Sequence, residues 1–333
     1  MTRPIAHAVL DAADQALVDG VLAGNIRALA KTITLAESSR RDHQARAHAV
    51  LDALLPYTGN SIRVGISGAP GVGKSTFVEA LGLHLIARAH RVAVLAVDPS
   101  SSVTGGSILG DKTRMEQLSQ SPQAYIRPSP SRGSLGGVAE KTREALLVCE
   151  AAGHDVIIVE TVGVGQSEIA VAGMVDVFVL LQLPHAGDEL QAIKKGIVEI
   201  ADLVVINKSD IDARATELAQ RQLQGALGLL RSASPRWKPP VLAVSALGNQ
   251  GIEAFWREIE RHREIMKACG EFEDKRRRQS LDWMWSIIDG ALRSQFRHHP
   301  SVKSHLPALT RAVAAGTVSP AAAAHRLLDY MKE

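Results

Sequence analysis

The amino-acid sequence predicts an α/β fold in which a mostly parallel sheet is flanked by helices, with a helical extension at each end. Short apolar or β-branched runs alternate with helical stretches across residues 62–246. These runs are apolar at nearly every position, which is typical of strands that are buried on both faces of a parallel sheet. The predicted strands are Arg63–Ile66, Val92–Val97, Ala124–Ile126, Val156–Val159, Val177–Leu181, Leu203–Ile206 and Val241–Val244.

The two ends of the chain have helical rather than strand-like patterns, so we expect three parts. Residues 1–56 form an N-terminal helical extension, and residues 57–265 form the domain that contains the sheet. Residues 266–333 form a C-terminal helical arm. Its last helix is expected to begin at Ser319-Pro320, which supplies an N-cap and a first-turn proline.

The C-terminal arm carries large apolar side chains at helical spacing, namely Leu281, Met284, Trp285, Ile288 and Leu292. So much apolar surface must be buried, either against the sheet-containing domain or against a second copy of the chain. We favour the second copy, because helical arms that follow a complete α/β core commonly make two-fold contacts. The sequence therefore predicts a homodimer with the arm at its interface.

The bulk composition argues against several classes of protein. Lys and Arg number 38 against 35 Asp and Glu, and only 4% of residues are aromatic, which gives no support to nucleic-acid binding. The basic cluster Lys275–Arg278 is expected to be a solvated helix face. The 2 cysteines form no C-x-x-C pair, and no apolar run approaches the roughly 18 residues of a membrane span. We therefore expect a cytoplasmic protein that binds neither nucleic acid nor membrane.

The segment after the first predicted strand fits the phosphate-binding pattern G-x-x-x-x-G-K-[ST], and a helical pattern follows it. Its glycines let backbone N–H groups surround a polyphosphate, Lys74 can reach the terminal phosphates, and the Ser75 hydroxyl can ligate Mg²⁺. The sequence thus predicts a P-loop NTPase. The residues expected at the phosphates are Gly68, Ala69, Pro70, Gly71, Val72, Gly73, Lys74, Ser75 and Thr76.

Two later strand ends predict that the base is guanine. Asn207-Lys-Ser-Asp210 follows a buried strand, and the Asp210 carboxylate can accept two hydrogen bonds from guanine that adenine cannot donate. Lys208 is expected to lie along the ring, and Asn207 is expected to tie the loop together. The loop Ser245-Ala246-Leu247 is suited to donating backbone N–H groups to the guanine carbonyl oxygen. The predicted nucleotide is GTP.

A third strand end predicts the catalytic centre, to which we assign Lys74, Glu160 and Gly163. Glu160 can hold Mg²⁺ through its water shell, and the Gly163 N–H can meet a γ-phosphate. Val164 occupies the position where Ras-like proteins carry the glutamine that orients water. We therefore expect slow intrinsic hydrolysis, accelerated by a partner or by rearrangement of the dimer.

Two further aspartates and one polar loop complete the predicted site. Asp98 and Asp111 are candidate water-mediated ligands of Mg²⁺, with a helix or turn cap and a solvated loop as their respective alternatives. The connection Leu183–Lys194 follows a buried strand and is too polar for a tight turn. It is predicted to be a functional loop.

These motifs together resemble the MeaB/ArgK family of P-loop GTPases, which carry a glutamate in the third nucleotide-binding box. The resemblance runs through V-D-P-S-S, G-G-S-I-L-G-D-K-T-R-M, R-P-S-P-S-R-G-S-L-G-G and E-T-V-G-V-G-Q-S-E. It implies a homodimeric GTPase that binds adenosylcobalamin-dependent methylmalonyl-CoA mutase, gates loading of the cofactor and protects the mutase from inactivation. It also implies that Asp188 and Lys194 couple the GTPase to the mutase. No cobalamin site is assigned to this chain.

Three alternatives remain open at this point. The client could be an acyl-CoA mutase of another specificity. The chain could be a nickel-delivery GTPase of the same glutamate-box group, although such a protein is expected to carry a Cys/His metal site, and the histidines here are scattered. It could also be a GTP-dependent phosphotransferase, for which the sequence gives no specific support.

Overall fold

The computed structural model describes residues 10–97, 115–128, 135–161, 167–185, 195–229 and 234–331. Contacts divide the chain into two compact units, Met1–Arg276 and Arg277–Glu333. Within the described ranges, no helix has both the length and the apolar character that crossing a membrane requires.

The first unit is built on a seven-stranded sheet with the order β3-β2-β4-β1-β5-β6-β7. Every neighbouring pair is parallel, which confirms the predicted α/β fold. All the predicted strands are present, with ends shifted by one or two residues. They are β1 (Ile62–Gly68), β2 (Val92–Val97), β3 (Ala124–Arg127), β4 (Val156–Thr161), β5 (Val177–Gln182), β6 (Leu203–Ile206) and β7 (Val241–Ala243).

Helices cover both faces of this sheet. The N-terminal helices are α1 (Ala12–Leu22), α2 (Ile26–Ala36) and α3 (Arg41–Leu54), followed by a short 3₁₀ turn, Leu55–Tyr57. The other described helices of the first unit are α4 (Lys74–Ile86), α5 (Glu116–Gln120), α6 (Leu135–Ala151), α7 (Ser167–Ala172), α8 (Lys195–Glu199), α9 (Ala213–Leu229) and α10 (Ile252–Ala268). Helix α11 (Glu271–His298) begins in the first unit and continues into the second.

Two apolar cores result, one on each face of the sheet. Leu29 and Ile33 of α2 pack with α6 and α7 on one face, so the N-terminal helices share a core with the sheet. Phe77 of α4 and Phe255 of α10 meet edge to face on the other face, with ring centroids 5.0 Å apart. Gly65 of β1 lets α7 approach closely, because a Cβ there would lie 2.8 Å from a methyl group of Val171. The strands that lead to the predicted nucleotide-binding residues are therefore packed on both faces of the sheet.

The second unit contains the rest of α11 together with α12 (Pro300–Ala314) and α13 (Pro320–Asp329). The Ser319 side chain accepts a hydrogen bond from the Ala322 N–H, and Pro320 occupies the first turn, as the sequence predicts. Helix α11 presents exposed large apolar side chains along this part of its length. They are Leu281, Met284, Trp285, Ile287 and Leu292.

The predicted solvated face at Lys275–Arg278 is wrong for its first two residues. Lys275 Nζ donates to the Asp176 carbonyl oxygen at 2.7 Å and to Asp202 Oδ2 at 3.2 Å. Arg276 donates to both Asp176 carboxylate oxygens at 2.7 Å. The reason is that the buried carboxylate of Asp176 and the half-buried carboxylate of Asp202, just before β5 and β6, require cationic partners, and the first turns of α11 supply them.

One buried histidine gives the stability of the fold a pH dependence. His154 lies between α6 and β4 with 6% of its surface exposed, and its Nδ1 lies 3.0 Å from the Cys149 carbonyl oxygen. Burial lowers the pKa of His154 from 6.5 to about 4. The folded chain thus holds a neutral imidazole, whereas the unfolded chain protonates this group below about pH 6.5. The contribution of His154 to the free energy of unfolding is therefore fully present above pH 6.5 and is lost as the pH falls towards 4. We expect a loss of about 2 kcal/mol of unfolding free energy between pH 7 and pH 5 from this group.

Urea unfolding of the wild type and of His154→Gln at both pH values measures this effect. Burial also raises the pKa of Glu144 from 4.5 to about 7, against the opposing effect of Lys141. Glu144 therefore contributes a slope of the opposite sign, and only the difference between the two proteins isolates His154. Identical pH slopes in the wild type and in His154→Gln would contradict the assignment.

Candidate nucleotide-binding site

The predicted phosphate-binding loop connects the end of β1 to the first residue of α4. Gly73 has φ +92° immediately before Lys74, a conformation that glycine adopts readily. A Cβ at Gly73 would lie 2.7 Å from Asn207 Nδ2, and one at Gly68 would lie 2.6 Å from the Leu181 carbonyl oxygen. Gly68 and Gly73 are therefore required because other segments of the same chain approach them too closely for a side chain.

Lys74 is held inside this loop with 9% of its surface exposed. Its Nζ donates to the Gly68 carbonyl oxygen at 2.7 Å and to the Ala69 carbonyl oxygen at 3.3 Å. The ammonium group thus lies at the amino end of α4, where the N–H groups of the first turn and the helix dipole also favour an anion. A polyphosphate bound here would meet a positive charge and backbone donors together.

Asn207 joins three of the predicted segments. Its Nδ2 donates to the Val72 carbonyl oxygen at 2.8 Å, and its Oδ1 accepts from the Ala246 N–H at 3.2 Å. Lys208 adopts φ +61°, and its Nζ donates to the Gly71 carbonyl oxygen at 2.9 Å. The structure therefore brings the phosphate-binding loop, the Asn207–Asp210 loop and the Ser245–Leu247 loop together.

The residues predicted to recognise the base lie at the open side of this assembly. Asp210 is exposed, and Leu247 is 87% exposed. Ser245 is fully buried, and its Oγ accepts from the Gly248 N–H at 3.0 Å. Ser245 therefore shapes the loop, while the Asp210 carboxylate is accessible to a ligand.

Two oxygen groups meet where the metal is predicted. Ser75 Oγ donates to Glu160 Oε1 at 3.2 Å, and Glu160 is 5% exposed. A hydroxyl and a carboxylate are hard oxygen donors that fit Mg²⁺, which usually takes one or two protein oxygens and completes its shell with water and phosphate oxygens. Across the described part of the chain, His, Cys, Asp and Glu form no group of three or more suited to a metal ion.

Five of the predicted site residues lie outside the described residues, namely Asp98, Asp111, Gly163, Asp188 and Lys194. The strands that lead to two of these segments are described. Val97, the last residue of β2, is paired with Thr161, the last residue of β4.

The structure also shows a contact that the sequence analysis did not identify. Thr161 Oγ1 donates to Ser67 Oγ at 2.9 Å, and both side chains are buried. The signal available in the sequence is a hydroxyl residue near the end of each of two mostly apolar strands. That pattern does not reveal which strands are neighbours.

Comparisons with known proteins show the family to which the chain belongs. A family model described as methylmalonyl Co-A mutase-associated GTPase MeaB matches residues 29–301. The chain is 46% identical over 327 residues to the mitochondrial methylmalonic aciduria type A homolog of Mus musculus, covering 95% of this chain and 79% of that protein. It is 45% identical over 310 residues to GTPase ArgK of Escherichia coli, covering 93% of this chain and 94% of that protein.

A solved structure supports the fold independently. The crystal structure of a LAO/AO transport system kinase is 36% identical, with a TM-score of 0.79, and covers 98% of this chain and 100% of that one. The predicted P-loop NTPase fold and the predicted family are both confirmed. The chain belongs to the MeaB family of P-loop GTPases and hydrolyses GTP.

Proposed function

We propose that this GTPase binds an adenosylcobalamin-dependent acyl-CoA mutase, most suitably methylmalonyl-CoA mutase, gates loading of its cofactor and protects it from inactivation. The observation that carries the proposal is the family match over residues 29–301, whose description names association with that mutase. The mouse relative, described as a methylmalonic aciduria type A homolog, supports the same assignment. The cobalamin itself belongs to the mutase in this proposal.

The roles proposed for the site residues rest on the contacts of the described residues and, for Asp98, Asp111 and Gly163, on the sequence alone. Lys74 and the N–H groups of the loop bind the β- and γ-phosphates, since both lie at the amino end of α4. Ser75 would ligate Mg²⁺ through its hydroxyl, and Glu160, Asp98 and Asp111 would hold the ion through its water shell. When bound, Mg²⁺ neutralises charge that develops on the phosphates during transfer. Gly163 is assigned to the γ-phosphate.

Asp210 selects guanine, and Lys208 and Asn207 fix the loop that carries it. The hydrogen bonds from Asn207 and Lys208 to Val72 and Gly71 attach this loop directly to the phosphate-binding loop. Base and phosphates are thereby bound by one connected scaffold. Selection of the guanine base and binding of the phosphates therefore depend on the same set of joined loops.

Hydrolysis is proposed to depend on the client. Val164 stands where a water-orienting glutamine would be expected, so the chain alone lacks that group at that position. We assign the coupling to Asp188 and Lys194. The bound mutase would then raise the rate, and the nucleotide state would control cofactor transfer.

Lys194→Ala is expected to separate hydrolysis from the client. GTP affinity should stay within about twofold of wild type, while stimulation by methylmalonyl-CoA mutase should be lost, because only a contact made in the complex is removed. Steady-state phosphate release with and without the mutase measures this. Lys195→Ala removes the same charge one position along and should keep the stimulation. Equal stimulation of wild type and Lys194→Ala would remove Lys194 from the coupling.

The homodimer is proposed from the C-terminal unit. Four exposed apolar side chains of α11 are spaced by three, four and seven residues, which places Leu281, Met284, Trp285 and Leu292 along one stripe. A stripe of this size on a helix is typical of an interface between copies.

Co-purification from the native host tests the proposed mutase client. Sedimentation velocity of the purified chain, with and without the bound enzyme, tests the proposed homodimer. A client other than a cobalamin-dependent mutase would overturn the first, and a monomer would overturn the second.

A further inference from the structure

The described backbone ladder between β1 and β4 reaches almost to the phosphate-binding loop. The backbone ladder between them ends at the pair Ile66 and Glu160. Beyond it, β1 remains paired with β5 as far as Gly68, and β4 remains paired with β2 as far as Thr161. The backbone pairing of these two strands therefore stops at Glu160.

A buried pair of hydroxyl groups lies at the next position of each strand. Thr161 Oγ1 donates to Ser67 Oγ at 2.9 Å, and the two residues are 0% and 1% exposed. A buried hydroxyl without a hydrogen-bond partner is costly, so the two side chains hold each other in place. The bridge continues the link between β1 and β4 where the backbone link has ended.

This bridge lies on the face of the sheet opposite to Glu160. Successive side chains of a strand point to opposite faces, and Ile158 and Val159 of β4 belong to different cores. Glu160 therefore faces α4, where its carboxylate accepts from Ser75 Oγ at 3.2 Å, and Thr161 faces the other way. The end of β4 is thus tied to the phosphate-binding segment from both faces of the sheet.

We propose that Ser67 and Thr161 are positioning residues for GTP hydrolysis, whose hydroxyl bridge holds the Glu160 carboxylate against the phosphate-binding loop. The inference rests on the proposed role of Glu160 at the metal and is independent of the mutase. Because the bridge lies on the face of the sheet opposite to Glu160 and Ser75, its effect on the metal site should pass through Glu160. It should therefore appear in turnover and in the Mg²⁺ requirement rather than in binding of GTP.

Thr161→Val keeps the shape of the side chain and removes the hydroxyl. We expect kcat to fall about tenfold, as loss of one buried hydrogen bond suggests, with KM for GTP within about twofold. The Mg²⁺ requirement should rise about fivefold or more because Glu160 is misplaced. It is measured both as the Mg²⁺ concentration for half-maximal rate and as the dissociation constant of Mg²⁺ from the GDP-bound protein in calorimetric titration. Thr161→Ser restores the hydroxyl and should return both values to within about twofold of wild type.

The matched control is Thr142→Val. Thr142 is also buried, and its Oγ1 donates to the Val138 carbonyl oxygen of its own helix at 2.9 Å. The same chemical change there should leave kcat and the Mg²⁺ requirement unchanged. Ser67→Ala removes the other hydroxyl of the bridge. It replaces Thr161→Val as the test if that variant does not fold. The double variant should be no worse than the more affected single variant, since both remove one interaction.

Glu160→Gln separates this inference from the assignment on which it rests. If Glu160→Gln raises the Mg²⁺ requirement while Thr161→Val and Ser67→Ala leave it unchanged, the positioning role is overturned and the metal assignment stands. Loss of activity in Thr161→Ser equal to that in Thr161→Val would also overturn it. If Glu160→Gln itself leaves the Mg²⁺ requirement unchanged, the metal assignment fails and this inference fails with it.

Discussion

Asp210→Asn is expected to convert the protein from a GTP-selective to a xanthosine triphosphate-selective enzyme. Guanine donates two hydrogen bonds to a carboxylate, whereas xanthine presents a carbonyl oxygen where guanine has its amino group, and an amide can donate to that oxygen. Sites that depend on such polar complementarity reject the wrong ligand by roughly 10⁴-fold. We expect the ratio of kcat/KM for the two nucleotides to change by about that factor.

The surrounding structure allows Asp210→Asn to change recognition of the base without changing the phosphate-binding loop. Asn207 and Lys208 fix the loop through their hydrogen bonds to Val72 and Gly71, and Asp210 is exposed beyond them. Changing Asp210 should therefore leave the phosphate-binding loop intact. The maximal rate with xanthosine triphosphate should approach the wild-type rate with GTP.

Asp212→Asn is the control for this substitution. Asp212 lies in the same connection, and its Oδ1 accepts from the Ala215 N–H at 2.9 Å at the start of α9, a cap that asparagine also makes. Asp212→Asn removes one negative charge, as Asp210→Asn does, and should keep the preference for GTP. An unchanged preference for GTP in Asp210→Asn would refute the assignment of base recognition.

The strands and the phosphate-binding loop could be predicted because the signals for them are local. Each strand is a nearly continuous apolar run, and residues 68–76 contain all the glycines and polar groups that their conformation requires. The order of the strands places Asp210 and Lys74 at one edge of the sheet, as expected for parallel strands. Fold and nucleotide class thus follow from short segments taken one at a time.

The contacts that hold the site together could not be predicted in the same way. Ser67 and Thr161 are 94 residues apart in the chain, and Asn207 reaches a carbonyl oxygen 135 residues away. Such pairs depend on which strands are neighbours and on which face each side chain lies. The basic cluster was misjudged for the same reason, because nothing near Arg276 in the sequence indicates that Asp176 is buried beside it.

Arg276→Met is expected to destabilise the first unit by about 3 kcal/mol, since removing one partner of a buried ion pair leaves the other without compensation. Asp176 is 2% exposed, and Arg276 donates to both of its carboxylate oxygens at 2.7 Å. Arg276 also donates to the Ser61 carbonyl oxygen at 2.7 Å and to the Gly59 carbonyl oxygen. One guanidinium therefore joins the start of α11 to the segments that begin β1 and β5.

Urea unfolding at pH 7 measures this loss, and Arg278→Met provides the control on the same helix. Arg278 is exposed, so its substitution should change the unfolding free energy by less than about 0.5 kcal/mol. Asp176→Asn combined with Arg276→Met should cost less than the sum of the single changes, because the uncompensated charge is gone. A value for Arg276→Met close to that for Arg278→Met would show that the ion pair does not hold α11 to the sheet. A large loss in Arg276→Met alone, partly recovered in the double variant, would establish that the charge of Asp176 requires this arginine, and that the pair fixes the first turns of α11 to the segment before β5.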